Sequence, residues 1–278
     1  MIFTPNTEGT FYDLPGETYH GAPGLSSHRI RLLMRSPAHL AASYLEPQKL
    51  KAHFVVGTAM HQLVFQPELA PCWVVRPEGM KFTTKEGKAW RDAQAMPVMD
   101  PEDWWDVQAA AAVVRAHPIA SKAIAGRPEV SVFKRFDVGG GETMLKARMD
   151  LVGVGNWIAD LKTTTDARPD AFMRDLNEYG YHIQAAFYLD VWNAANPDNR
   201  KDSFCFIAVE KSAPYGIAVY NLHLEAIESG RGEYMKALPI YGDCLSTNTW
   251  PCYRPVVYEI KLPKYHQKET PWVISPQN

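Results

Sequence analysis

The chain has 278 residues, 46% of them hydrophobic and 22% charged, with a net charge of −2. Such a chain is ordinary globular material, is not a basic protein that coats nucleic acid unselectively, and has no apolar run of the ~18 residues that suggest a membrane helix. Its opening, MIFTPNTEGTFYDLPGETYHG, has neither a basic n-region nor an apolar h-region, so a secretory signal is not expected and the protein is expected to be cytoplasmic.

Residues 1–24 hold several Gly and Pro and read as an irregular arm. LSSHRIRLLMRSPAHLAASYL reads as two short helices broken at Ser36-Pro37, with Ser27 as N-cap. VVGTAMHQLVFQP reads as a third helix, closed by Pro67, and a polar segment follows around FTTKEGKAWRDAQ. The alanine-rich PEDWWDVQAAAAVVRAHPIASKAIA is expected to be helical until Pro118. Residues 25–125 thus form a helical N-terminal part.

The character then changes. EVSVFKRFDV, TMLKARMDLVGV and WIADLKT are short, alternating and separated by glycine turns, the pattern of an antiparallel meander. PDAFMRDLNEYG is a short helix and YHIQAAFYLDVWNAAN a stronger one, stopped at Asn196-Pro197. SFCFIAVEK and YGIAVYNLHL read as a strand hairpin, and EAIESGRGEYMKALPIYGDCL returns to helix. The order predicts an α/β fold, a mixed central sheet flanked by helices. A single domain over 1–278 is expected, with its core at 129–240 and a proline-punctuated extension at 241–278 whose run PVVYEIKLP resembles a strand.

Two features admit more than one reading. Arg29, Arg31, Arg35, Lys49 and Lys51, with Glu46 as the only nearby acid, are either a solvated helix face or a local track for DNA. Cys72, Cys205, Cys244 and Cys252 form no CxxC pair. Free thiols in a reducing compartment account for them, and an iron–sulfur site would need all four to converge, which Cys205 inside a predicted strand opposes.

The most informative stretch is RMDLVGVGNWIADLKTTT, Arg148–Thr165, where Asp150, Asp160 and Lys162 interrupt an apolar hairpin. Alternate residues of a strand share a face. A three-residue turn at Val154-Gly155-Asn156 pairs Gly153 with Trp157 and sets Asp150 directly opposite Asp160; a two-residue turn would put them on opposite faces. Two carboxylates that close need a proton or a cation between them. Mg²⁺ could join both, and Lys162 lies one pleat further on, a set suited to phosphodiester hydrolysis. Taken alone, Asp160 and Lys162 fit a surface ion pair equally well.

The tripeptide [DE]-x-K is weak on its own and occurs three times, at Glu86-Gly87-Lys88, Asp160-Leu161-Lys162 and Glu259-Ile260-Lys261. Only the second has an acid ten residues earlier across a glycine turn. Gln184 and Tyr188, four apart in HIQAAFYLDV, share one helix face, with small alanines between them that would let the helix lie close to the sheet; taken alone, the pair fits an ordinary helix surface better.

The combined pattern, MD, then DLKTT, then QAAFY, resembles the PD-(D/E)xK nuclease superfamily in its RecB-like branch with the Q-x-x-x-Y motif. More narrowly it resembles the RecE-type exonuclease (exonuclease VIII) family. LPGETYHGAPGLSSHRIRLLMRSPAHLAA, VVGTAMHQLVFQPE, PEVSVF and EKSAPYGIAVYNLHLEAIESGRGEY extend the similarity over roughly residues 10–240.

The resemblance implies a restriction-endonuclease-like core and a metal-dependent 5′→3′ exonuclease on linear double-stranded DNA. It would leave 3′ single strands for a single-strand annealing protein, and relatives form homo-oligomeric rings. It implies Asp150, Asp160 and the Leu161 carbonyl as Mg²⁺ ligands, with Mn²⁺ as a substitute, and His61 and Glu129 completing a second metal position. Lys162 would be the catalytic lysine, Gln184 would orient it or the water, and Tyr188 would contact the phosphate or a base. Met149 stands where the motif name expects proline; that position supplies no ligand. The thiolate pattern of the iron–sulfur nucleases of the superfamily is missing, which implies a metal-only site. An endonuclease of the same superfamily and a non-catalytic DNA-binding scaffold are the alternatives.

Overall fold

The computed structural model describes residues 3–4, 6–45, 52–257 and 259–260. The N-terminal half contains β1 (Gly9–Phe11), α1 (Gly16–Gly21), α2 (Ser27–Arg35), α3 (Pro37–Leu45), α4 (Ala52–Phe65), β2 (Val74–Val75), α5 (Lys85–Asp92), β3 (Val98–Met99), α6 (Pro101–Ala116) and α7 (Ala120–Ala123). The remainder contains β4 (Gly126–Asp137), β5 (Glu142–Gly153), β6 (Trp157–Thr164), α8 (Pro169–Glu178), α9 (Tyr181–Ala195), β7 (Ser203–Glu210), β8 (Ile217–Asn221) and α10 (Leu224–Thr247).

Six strands form one sheet in the order β1-β4-β5-β6-β7-β8, and β2 and β3 form a separate parallel pair. Every neighbouring pair in the large sheet is antiparallel except β6 and β7. A parallel pair needs a crossover connection, and α8 and α9 supply it. The β5–β6 hairpin pairs Leu151 with Ala159 and Val152 with Ile158. This is the register expected from a three-residue turn, so Asp150 stands opposite Asp160.

Both faces of the sheet are covered, which makes the central strands almost continuously apolar. Leu145, Ala147, Met149, Ile158, Phe204 and Phe206 pack with residues of α2, α9 and α10. On the opposite face Leu161, Ile207 and Val209 pack with residues of α4 and α6. The result is the expected mixed α/β sheet between helical layers. Helix α10 buttresses α9 closely: a Cβ at Gly230 would overlap the His182 carbonyl. Asp190 of α9 accepts from Arg231 Nε at 2.7 Å and from the Tyr234 hydroxyl at 2.6 Å. The helix that carries Gln184 and Tyr188 is therefore pinned on its far side.

Several local expectations are corrected. The stretch read as an irregular arm contains β1 and α1, and Phe11, Leu14, Tyr19 and Ala22 are buried with Phe133 and Met144. Its apolar residues are spaced for a tertiary surface and carry no helix or strand period. The buried Lys146 ammonium secures it, donating to the carbonyls of Tyr19 at 2.9 Å, His20 at 3.2 Å and Ala22 at 2.7 Å. The α2 cap is Ser26, one residue before the expected Ser27, and its side chain accepts from Arg29 N–H. The polar segment holds α5, capped by Thr84.

The boundary drawn at residue 241 falls inside α10. In the run PVVYEIKLP, residues 255–257 and 259–260 form no strand; Tyr258 and residues 261–263 lie outside the described residues. Of the basic track, Arg29 donates to the Gly24 carbonyl, Arg31 to the Glu178 carbonyl and Arg35 to the Tyr253 hydroxyl. Glu46, Lys49 and Lys51 lie outside the described residues. Among the described residues no helix is long and apolar enough to cross a membrane.

Candidate active site

The site forms where the sheet opens. Hydrogen-bonded pairing of β5 with β6 stops at Leu151 and Ala159. At the next row the Asp150 side chain takes the place of a backbone partner, its Oδ2 accepting from the Leu161 N–H at 2.9 Å. On the other side, the β4–β5 ladder omits the pair Glu129–Asp150. Glu129 there has φ of 53°, a left-handed conformation uncommon for a residue with a side chain. One row across three adjacent strands therefore carries three acids: Glu129, Asp150 and Asp160. In a strand the N–H and C=O of one residue point toward the same neighbour, so the Leu161 carbonyl also faces the β5 side.

Helix α4 brings His61 to this row. One ligand atom from each of His61, Glu129 and Asp150 lies within 4.8 Å of the others, and His61 Nδ1 is 3.2 Å from Asp150 Oδ2. Burial disfavours the charged imidazole, but the Asp150 carboxylate, with Asp160 and Glu129 behind it, outweighs burial and raises His61 to about 9. Asp150 is likewise opposed by burial yet held below the usual carboxylate range by His61. Burial and then Asp150 push Glu129 upward, against Arg148, whose Nε lies 2.5 Å from Glu129 Oε2. Arg148 Nη1 also donates to Ser131 Oγ and to the Leu14 carbonyl, both at 2.8 Å.

Asp160, Lys162 and Gln184 form a second, directly bonded group. Lys162 Nζ is 2.6 Å from Asp160 Oδ2 and donates to Gln184 Oε1 at 3.0 Å. Gln184 Nε2 donates to Asp160 Oδ1 at 2.6 Å. Asp160 is 1% exposed, and burial followed by repulsion from Asp150 raises it to about 6. Burial opposes the Lys162 charge, but the Asp160 and Asp150 carboxylates outweigh it and raise its pKa. The Lys162 ammonium also lies 4.6 Å from the centre of the Tyr181 ring. Tyr188 is half-buried; burial holds its hydroxyl protonated, and Tyr19, Asp160 and Asp150 add to that effect.

A divalent cation fits this row. An imidazole and two carboxylates converge, the donor set of a hard-to-borderline metal. Asp160 Oδ2 is buried and receives no well-directed hydrogen bond despite its nearness to Lys162. A cation would also relieve the repulsion that raises Asp160 and Glu129.

The residues expected at the site fall into two groups, His61 with Glu129 and Asp150, and Asp160 with Lys162 and Gln184, while Tyr188 lies one helical turn beyond Gln184. Asp150 was expected to share one ion face to face with Asp160; instead its Oδ2 meets His61 and the Leu161 N–H, while Asp160 is held by Gln184 and Lys162. Arg148 and Tyr181 were not anticipated as parts of the site. Tyr181 had a signal, since it lies three residues before Gln184 on the same helix face. Arg148 had one too, two residues before Asp150 on the same strand, but its pairing with Glu129 had none, because Glu129 lies on another strand.

A family model described as "PDDEXK-like domain of unknown function (DUF3799)" matches residues 26–255. No curated protein matches the sequence. Among solved structures, the "Putative exonuclease" from Eubacterium rectale aligns with a TM-score of 0.58 at 13% identity, covering 89% of this chain and 97% of its own. The phage related exonuclease from Haemophilus somnus 129PT aligns at a TM-score of 0.34 and 16% identity, covering 81% of this chain and 96% of its own. The first of these shares the fold; the second is too distant in shape to carry an argument.

Proposed function

This chain belongs to the PDDEXK-like domain family that its residues 26–255 match, and on that premise we propose that it is a divalent-metal-dependent nuclease hydrolysing phosphodiester bonds in DNA. The observation that carries this reading is the row Glu129–Asp150–Asp160 across three strands, with His61 on one side and the Lys162–Gln184 pair on the other. The family's function is not described, so the activity is argued from these residues.

His61, Glu129 and Asp150 would hold the cation, with Asp160 and the Leu161 carbonyl beside them; Mg²⁺ is the expected ion and Mn²⁺ its substitute. When bound, the ion supplies Lewis acidity toward a phosphoryl oxygen. Lys162 remains an ammonium because two carboxylates face it, so it is a donor rather than a proton acceptor. It orients the attacking water and steadies the charge that develops on the phosphorane. Gln184 fixes the Lys162 and Asp160 side chains relative to each other. Tyr188, kept protonated, offers an O–H to a phosphate oxygen.

The finer reading rests on the resemblance to RecE-type exonucleases: 5′→3′ degradation of linear duplex DNA by a homo-oligomeric ring, handing 3′ single strands to an annealing protein. Purified protein incubated with end-labelled linear duplex and with closed-circular duplex, with Mg²⁺, Mn²⁺ or chelator, tests it. Metal-dependent release of nucleotides from the 5′ ends of linear DNA alone is expected. Cutting of the circle would favour an endonuclease. No release from any DNA, with Asp160→Ala binding DNA as well as the unmodified protein, would favour a scaffold.

A further inference from the structure

We propose that Tyr179 and Tyr181 form a stacking platform for an unpaired terminal base of the DNA beside Lys162, a subsite that rests on the nuclease reading and narrows its substrate to frayed or mismatched ends. Helix α8 ends at Glu178 and α9 begins at Tyr181, so only Tyr179 and Gly180 separate them. Gly180 adopts φ 61° and ψ 41°, the left-handed conformation that glycine takes at little cost. This tight turn brings the flanking tyrosines together, with ring centroids 5.6 Å apart and planes inclined by 29°.

The two rings differ in surroundings. Tyr181 is anchored from the inside: its centroid lies 5.6 Å from Phe206 and 6.0 Å from Phe172, and Lys162 Nζ lies over it at 4.6 Å. Tyr179 continues this aromatic series outward and is 45% exposed. An aromatic ring braced from behind by another and open in front is a surface for a flat, apolar group.

A cation stands at the same turn. Arg31 of α2 donates to the Glu178 carbonyl at 3.5 Å, and a Cβ at Gly180 would meet Arg31 Nε at 3.0 Å. An exposed ring with a guanidinium at its own turn and the ammonium of Lys162 over the ring behind it matches the requirements of a single unpaired nucleotide, a π-face beside negatively charged phosphates. A base inside the duplex has both faces covered, and a mismatched end base swings out of the stack at the least cost, which is why an unpaired end is the expected occupant.

The test uses the full chain and a linear duplex carrying 2-aminopurine at a mismatched terminal position. With Ca²⁺ replacing Mg²⁺ to hold the complex uncleaved, stacking on Tyr179 quenches the fluorophore. Tyr179→Ala is expected to lose the quenching and to raise KM for the mismatched-end duplex about ten-fold, with kcat little changed and the preference over fully paired ends abolished. Tyr179→Phe is expected to retain all three properties. An active protein that shows no quenching, or whose Tyr179→Ala variant keeps the quenching and the KM, overturns the platform and leaves the nuclease reading standing. Failure of the unmodified protein to degrade any linear duplex with Mg²⁺ overturns the nuclease reading and the platform with it.

Discussion

Gln184 donates from Nε2 to Asp160 Oδ1 at 2.6 Å, joining helix α9 to strand β6 at the deepest carboxylate of the site. The same amide accepts from Lys162, so one side chain sets the mutual position of a carboxyl group and an ammonium. A Gln184→Leu change keeps the helix and the approximate volume but leaves a buried carboxylate oxygen without its donor. It is expected to cost about 1–3 kcal/mol of stability in chelator. Single-turnover cleavage is expected to fall by about two to three orders of magnitude, the loss of one positioned donor. Urea unfolding and rapid-quench kinetics measure both; unaltered values would remove Gln184 from the site.

The metal-free site stores protons, and the sign of its pH dependence follows. Burial, and then Asp150, raise Asp160 from 3.8 to about 6. Across that interval the folded protein holds a proton that the unfolded chain has released, so stability falls as pH rises through it. The raised Glu129 acts in the same direction. The effect from Asp160 amounts to about 3 kcal/mol once both states are ionised. Urea melts in chelator between about pH 4 and pH 7 should show this slope, Asp160→Asn should flatten it, and saturating Mn²⁺ should suppress it.

His61 makes metal binding release a proton. Asp150 holds the imidazole charged to about pH 9 despite burial, whereas a ligating histidine must be neutral. Calorimetric titration with Mn²⁺ near neutral pH, in buffers of different ionisation enthalpy, should report release of about one proton. Affinity should rise with pH until His61 is already neutral before the metal binds. In His61→Gln the proton release should vanish and affinity should fall; a buffer-independent heat in the unmodified protein would place His61 outside the metal set.

Glu129 combines an unfavourable backbone conformation with an ion pair to Arg148. Glu129→Val combines loss of the pair with a β-branched residue at φ of 53° and should destabilise more than Glu129→Gly, by about 1–2 kcal/mol. Arg148→Met should lower stability by about 2 kcal/mol and weaken Mn²⁺ binding, because the carboxylate loses its guide. Thermal melts and metal titrations of the three variants rank them; equal stability of the valine and glycine variants would show that the conformation carries no strain.

The hairpin was legible because strand geometry has a strict period of two. An odd loop and a ten-residue spacing allow one register only for two acids on the same row. Gln184 and Tyr188 were legible for the analogous helical reason. The N-terminal segment was not, because β1 and α1 draw their order from Lys146 and Phe133 on distant strands and have no period of their own. Glu129 came only through resemblance, since its place depends on where β4 pairs with β5.

The sequence by itself determined the local devices: which residues lie on one strand face, which share a helix turn, and that two aspartates oppose each other across a glycine-containing turn with a lysine one pleat further on. Only the tertiary structure decided how these devices divide the work. It placed His61 from α4 against Asp150, completed the acid row with Glu129, locked Asp160 to Gln184, and brought Arg148 and the Tyr179–Tyr181 pair alongside. The physical reason is that periodicity acts between residues a few positions apart. Ion pairing and burial act between side chains that meet only after the sheet has closed between its two helical layers.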